Sequence, residues 1–188
     1  MKNWKLTFGI ILLLVVLAFV SQEECGGNER WDVKTLQDSL AHKINFTPKQ
    51  TTVGNLTTLR HVEKVGNHTE RFGNEFVCYQ IDCRIREYRL EEDGDYHLVL
   101  VDMKDSSKTI IGEIPDFNCE KVKTSKFIKN FIDARVTFQK YILPKHGVKD
   151  GVYTITGVCF YDKIHGQLGV CKDNGLELHP IMDIIKQR

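Results

Sequence analysis

Apolar and polar residues alternate from Phe76 to Leu90 (FVCYQIDCRIREYRL). Period two over so long a stretch predicts one long strand, bent or bulged along its length. Glu91-Glu92-Asp93-Gly94-Asp95 then reads as a turn. Tyr96–Asp102 (YHLVLVD) and Thr109–Ile114 (TIIGEI) predict a second and a third strand, the latter ended by Pro115-Asp116. From Ser125 to Ile142 the period changes. Phe127, Phe131, Ala134, Phe138 and Tyr141 fall on one helical stripe, with Ser125 placed to cap its start and Pro144 and Gly147 to stop it. Val152–Phe160 and Leu176–Ile185 read as a fourth and a fifth strand, separated by a polar loop over Asp162–Gly175.

Three strands, a helix and two strands is the order of the OB-fold, a five-stranded Greek-key barrel. The expected class is therefore mainly β with one helix, an OB-like barrel over residues 74–188. Residues 31–73 read as an irregular N-terminal cover and 22–30 as a polar linker.

Before the linker, a basic start with Lys2 and Lys5 leads into Leu6–Val20, which carries no charge. That is the pattern of a secretory signal, short for a membrane span, with an uncleaved anchor as the alternative for residues 1–21. Either makes the domain extracytoplasmic, with the membrane touched only through this segment. Removing residues 1–21 takes away two lysines and no acid. It leaves 24 basic against 25 acidic residues, a formal net charge of −1. This balance disfavours nucleic acid as a partner, since a basic surface supplies most non-specific affinity for it.

The six cysteines are Cys25, Cys78, Cys83, Cys119, Cys159 and Cys171. An even number behind an export signal suggests disulfides. Cys78 and Cys83 lie on one predicted strand, about 16 Å apart at 3.3 Å per residue, too far to pair with each other. Cys159 and Cys171 flank a glycine-bearing turn and are the candidate bridge. Three Asn-X-Thr sequons, at Asn45, Asn55 and Asn67, suit an exposed surface.

The stretches EEDGDYHLVLVD (91–102), GEIPD (112–116), ITGVCFYDKIHGQLG (155–169) and NGLELHP (174–180) resemble a family of small exported bacterial and archaeal proteins of unassigned function. The resemblance covers nearly all of residues 31–185. It implies export and the fold, and no activity. Cys159 and Cys171 stand where that family usually has small residues, a departure that a private disulfide would fit.

Candidate chemistry gathers in two loops and the strands beside them. Asp93, Asp95 and His97 sit at the first-to-second strand turn. Asp162, His165, Gln167 and Asn174 lie between the fourth and fifth strands, with Glu177 and His179 following. In an OB barrel the loops after the first and fourth strands flank one binding face, so the two groups are expected to converge there. Asp95, His97, Asp162, His165, Gln167, Asn174, Glu177 and His179 are the candidate ligand-binding residues. His97, His165 and His179, with carboxylates near them, are candidate ligands of a divalent metal, and His97 or His165 could serve as a general base. Ordinary structural roles remain open for each: a backbone hydrogen bond for His97, a turn for His165, a polar pair on one sheet face for Glu177 and His179. The sequence thus points to an exported OB-like binding or accessory module of unassigned ligand. A metal-dependent hydrolase of the phosphodiesterase or nuclease type, and oligosaccharide or nucleic-acid binding on the barrel face, are the alternatives.

Overall fold

The computed structural model describes residues 29–60, 64–144 and 151–187. The expected leader over 1–21, most of the linker and Cys25 lie outside these residues. The elements run in the order α1 (Trp31–Lys34), β1 (Asn45–Thr51), α2 (Val53–Leu56), β2 (Val77–Leu90), β3 (Tyr96–Asp102), β4 (Thr109–Ile114), α3 (Glu120–Lys123), α4 (Ile128–Tyr141), β5 (Tyr153–Tyr161) and β6 (Leu176–Lys186). Five strands close a mixed barrel in the order β2-β3-β4-β6-β5, with β5 returning to β2. This is the OB-like barrel that the strand–helix order predicts.

The long β2 makes closure possible. Its first half pairs with β5, from Cys78 to Cys83, and its second half with β3, from Cys83 to Leu90. The expected bulge is a register shift between Ile85 and Glu87. It lets a 14-residue strand curl from one side of the barrel to the other. Tyr79, Ile81, Cys83 and Ile85 point inward and are almost wholly buried with Leu98, Leu100, Ile110, Ile155 and Leu178. Each such side chain stabilises the fold by roughly 1.5–3 kcal/mol relative to exposure. Gly112 is required where β4 passes this core, because a Cβ there would lie 2.8 Å from Leu100 and 2.9 Å from Ile181.

Helix α4 closes one end of the barrel through Ala134, Phe138 and Ile142. Phe138 stacks tilted on Tyr96 at 4.4 Å and edge-on to Tyr88 at 5.1 Å. The helix starts three residues later than the stripe predicts. Ser125 does not cap it by the usual geometry. Its hydroxyl instead donates to Thr35 O and accepts from Phe127 N, which ties the helix entrance to the N-terminal segment.

That segment is more regular than the sequence suggests. β1 adds to the barrel as a parallel neighbour of β2. Trp31, Leu36, Ala41 and Ile44 form a second apolar cluster with Val122, Phe131, Val158 and Met182, on the outer side of β5 and β6. Buried charge fixes the cover in place. Arg30 donates to both oxygens of Glu75 at 2.8 and 2.6 Å, and the Tyr161 and Phe72 backbone amides donate to the same carboxylate. Arg71 binds Asp38 at 2.7 Å and the carbonyls of Val33 and Glu75. Asn45, Asn55 and Asn67 are all exposed, as their sequons require.

The expected Cys159–Cys171 disulfide is absent. Both are free buried thiols, as are Cys78 and Cys83. Cys159 faces the barrel core, where burial pushes its thiol well above the ordinary value. The 162–175 loop does not fold back along its own hairpin. It crosses to α2, where Asn174 Nδ2 donates to Leu56 O and Leu59 O and the Cys171 thiol approaches Thr57 O at 3.9 Å.

Candidate metal centre

The outer face of β3, β4 and β6 carries a buried group of ionisable side chains. Register explains their meeting. His97 on β3 is the direct cross-strand partner of Glu113 on β4. Gly112 of β4 pairs in parallel with Leu178 of β6, which brings His179 alongside Glu113. Glu177 and His179 are two apart and share this outward face, while Leu176 and Leu178 face the core. Beyond His179 the cis bond to Pro180 falls within a register shift. Four residues of β6, Leu178 to Ile181, oppose three of β5, Gly157 to Cys159. Pro180 has no N–H to give the ladder, and the bulge absorbs it.

Asp95 enters from the 91–95 turn, closed by Glu91 N donating to Asp95 O. Gly94 sits at φ +88°, and a Cβ there would meet Asp116 Oδ2 at 2.9 Å. Arg135 of α4 pins this turn to the end of β4, donating to Gly94 O at 2.9 Å and Pro115 O at 3.2 Å while its guanidinium lies over Tyr96. Asp116 N donates to Asp95 Oδ1 at 2.7 Å, which directs Oδ2 toward His179 Nε2, 3.7 Å away.

Glu113 stands at the centre. Its Oε1 accepts from His97 Nδ1 at 3.0 Å, and its Oε2 lies 2.9 Å from His179 Nδ1. Glu91 Oε1 also approaches His97 Nδ1, at 3.3 Å. The other ring nitrogen of His97 donates to Leu168 O at 2.9 Å. The Leu168 carbonyl can only accept, so Nε2 is the protonated nitrogen of the pair, and Nδ1 faces the Glu113 carboxyl.

Asp95, His97, Glu177 and His179 are each 2% exposed or less. Asp95 Oδ2, Glu177 Oε2 and both nitrogens of His179 have no hydrogen-bond partner among the described residues. The 2.9 Å approach of His179 to Glu113 is close enough for an ion pair but lacks hydrogen-bond angles. A buried polar atom without a hydrogen bond normally costs about 1–3 kcal/mol, and on Asp95 and His179 only ion-pair approaches at 2.9 and 3.7 Å offset it.

Burial pushes the Asp95 carboxyl well above its usual range, Asp93 and Glu113 add to the rise, and the Asp116 amide and Lys34 offset it only in part. Glu177 is raised in the same way by burial, Glu113 and Asp162. Glu113 differs. Burial disfavours its charge, but the facing His179 and His97 rings and the Lys34 ammonium outweigh that and hold it well below the usual range. Burial lowers His97, and its bonds to Glu113 and Leu168 O more than compensate, so the ring is raised overall. Lys34 of α1 rests over the Phe160 ring at 5.4 Å. Desolvation opposes its charge, but the field of Glu113, Glu177, Asp162 and Asp95 prevails and raises it.

The two loops converge on this face as expected. Asp95 and His97 meet Glu177 and His179 there, and the 162–175 loop covers them through Leu168. A Cβ on Gly169, at φ +82°, would lie 2.7 Å from Val99. The loop's other candidates serve the loop itself. Gln167 donates to Asp162 and Lys163 O, Asn174 holds α2 and receives Leu176 N, and His165 is exposed and belongs to neither group of converging ligand atoms. Glu91, Glu113 and Lys34 were not anticipated. Glu113 could have been found by centring the third-strand hairpin on its turn, which sets it opposite His97. Lys34 arrives by a long-range contact with no local signal.

Asp95, Glu113 and His179 each offer an atom within 4.8 Å of the others', and so do Glu91, His97 and Glu113. Imidazole with carboxylates is a donor set for zinc, manganese or iron. No family model matches the chain, and no curated protein is significantly similar to it.

Proposed function

We propose that the protein is an exported OB-like module that binds a divalent cation, held by Asp95 Oδ2, Glu113 and His179. The observation that carries this reading is the set of buried atoms on Asp95 and His179 that make no hydrogen bond among the described residues and converge beside Glu113. A water molecule would satisfy hydrogen bonds alone, whereas a cation would accept the lone pairs of both acids and the imidazole together. Burial behind the 162–175 loop and α1 favours a retained ion over one in free exchange. The same cover disfavours oligonucleotide binding on this face. Val99 is fully buried beneath Gly169, leaving little of the open, basic surface that nucleic acid would need.

The test is thermal unfolding of chelator-treated protein with and without added Zn²⁺ or Mn²⁺. An ion present at 100 times its Kd stabilises by about 2.7 kcal/mol, a shift of several degrees. His179→Gln should abolish the response. No response in the wild type to either ion refutes the reading.

A further inference from the structure

Glu113 presents its two oxygens to two different histidines. Oε2 faces His179 Nδ1 at 2.9 Å and Oε1 faces His97 Nδ1 at 3.0 Å. Two ligand groups therefore share one carboxylate: Asp95, Glu113 and His179 on one side, Glu91, His97 and Glu113 on the other. The second group has the support expected of a ligating histidine. His97 Nε2 donates to Leu168 O at 2.9 Å, and a backbone carbonyl in that position fixes tautomer and ring orientation. With Nε2 so engaged, Nδ1 is the nitrogen that faces Glu113 at 3.0 Å and Glu91 at 3.3 Å. At the other side, Asp95 Oδ2 and both His179 nitrogens are buried and make no hydrogen bond among the described residues.

Resting on the cation-binding reading above, the geometry points to a dinuclear centre: two divalent transition-metal ions bridged by the Glu113 carboxylate. The inner ion takes Asp95 and His179, and the outer takes His97 and Glu91. Ions in carboxylate-bridged pairs stand about 3.5–4 Å apart, a span that one carboxylate with a histidine on each oxygen can serve. One imidazole and two carboxylates per ion suit manganese, iron or zinc better than calcium or magnesium. The two positions differ in access. Asp95 and His179 are 1% exposed or less, whereas the Glu91 side chain is 30% exposed and its Oε1 also accepts from the half-exposed Arg89 at 2.6 Å. The outer ion therefore competes with Arg89, exchanges first, and has open positions facing solvent.

The full chain, stripped by chelator, reloaded with excess Mn²⁺ and desalted, should retain about two manganese ions per chain. Its electron paramagnetic resonance spectrum should be that of an exchange-coupled pair. Glu91→Gln, a change at a part-exposed side chain that leaves the buried ligands in place, should retain only the inner ion and give an isolated six-line spectrum. A wild type that holds a single ion, or two that are uncoupled, overturns the bridged pair and leaves the mononuclear reading standing. So does a Glu91→Gln variant that keeps both. A wild type that holds none overturns both.

Discussion

His97 and Leu168, 71 residues apart in sequence, are joined by a 2.9 Å hydrogen bond from the ring of a barrel strand to the carbonyl of a surface loop. It ties the ionisable face directly to the 162–175 loop that covers it. With the ring protonated, a charge-assisted bond of this kind contributes about 1.5–3 kcal/mol.

His97→Leu should therefore release the loop before it unfolds the barrel. Amide hydrogen exchange across 162–175 should rise at least tenfold, while β2 and β5 remain protected. Exchange that rises equally in all strands would mean that His97 holds the fold rather than the loop.

The pH dependence of the ion-free protein follows from three raised groups. Asp95 and Glu177 bind protons more tightly when folded than their unfolded values near 3.9 and 4.3. The stability they contribute is complete below those values and is lost as pH rises through the folded ones. His97, raised above about 6.5, acts in the same sense at higher pH. Glu113, held low, acts oppositely, and its contribution is lost only as pH falls below the ordinary carboxylate range. Urea denaturation in the presence of chelator should show stability falling from pH 5 to pH 8. Added Mn²⁺ should reverse the slope, because its ligands must shed protons to bind. A flat or rising chelated profile would contradict the buried-acid assignment.

Glu75→Gln tests the cover. It leaves Arg30 charged, buried and without its bidentate partner, so the loss should be about 3–5 kcal/mol by urea denaturation. Arg30→Met with Glu75→Gln should recover part of it. A single variant within about 0.5 kcal/mol of wild type would show that the pair contributes little.

Gly169→Ala forces a Cβ into Val99 at a backbone angle that L residues seldom adopt. It should cost about 1–3 kcal/mol of loop stability. The expected readout is faster release of bound Mn²⁺ with the melting temperature of the barrel little changed.

The barrel was readable because its strands are long and its alternation clean. The span Tyr96–Asp102 and the span Thr109–Ile114 match the structure residue for residue, and β2 differs by a single residue at its start. β1 was not readable. NFTPKQT is largely exposed and has no apolar face to mark a period, and only its parallel pairing with β2 makes it a strand. The site was half readable. His97 and His179 stand out as histidines in apolar strands. Glu113 looks like an ordinary solvated position until cross-strand register sets it between them. His165 attracted attention by type and loop position, whereas its burial could not be read from sequence. The Cys159–Cys171 pairing failed because spacing across a turn says nothing of where a 14-residue loop travels. Here it travels to α2 and carries Cys171 there.

The Arg30–Glu75 clamp also limits how far a recombinant fragment can be trimmed. A version trimmed to start at the barrel proper, near Gly73, would uncover Val158 and Met182, strand an acidic group in the interior, and discard Lys34, the amine that moderates the ion-binding face. Expression plasmids should keep the segment ahead of Gly73, and solubility tags belong in front of it rather than in its place.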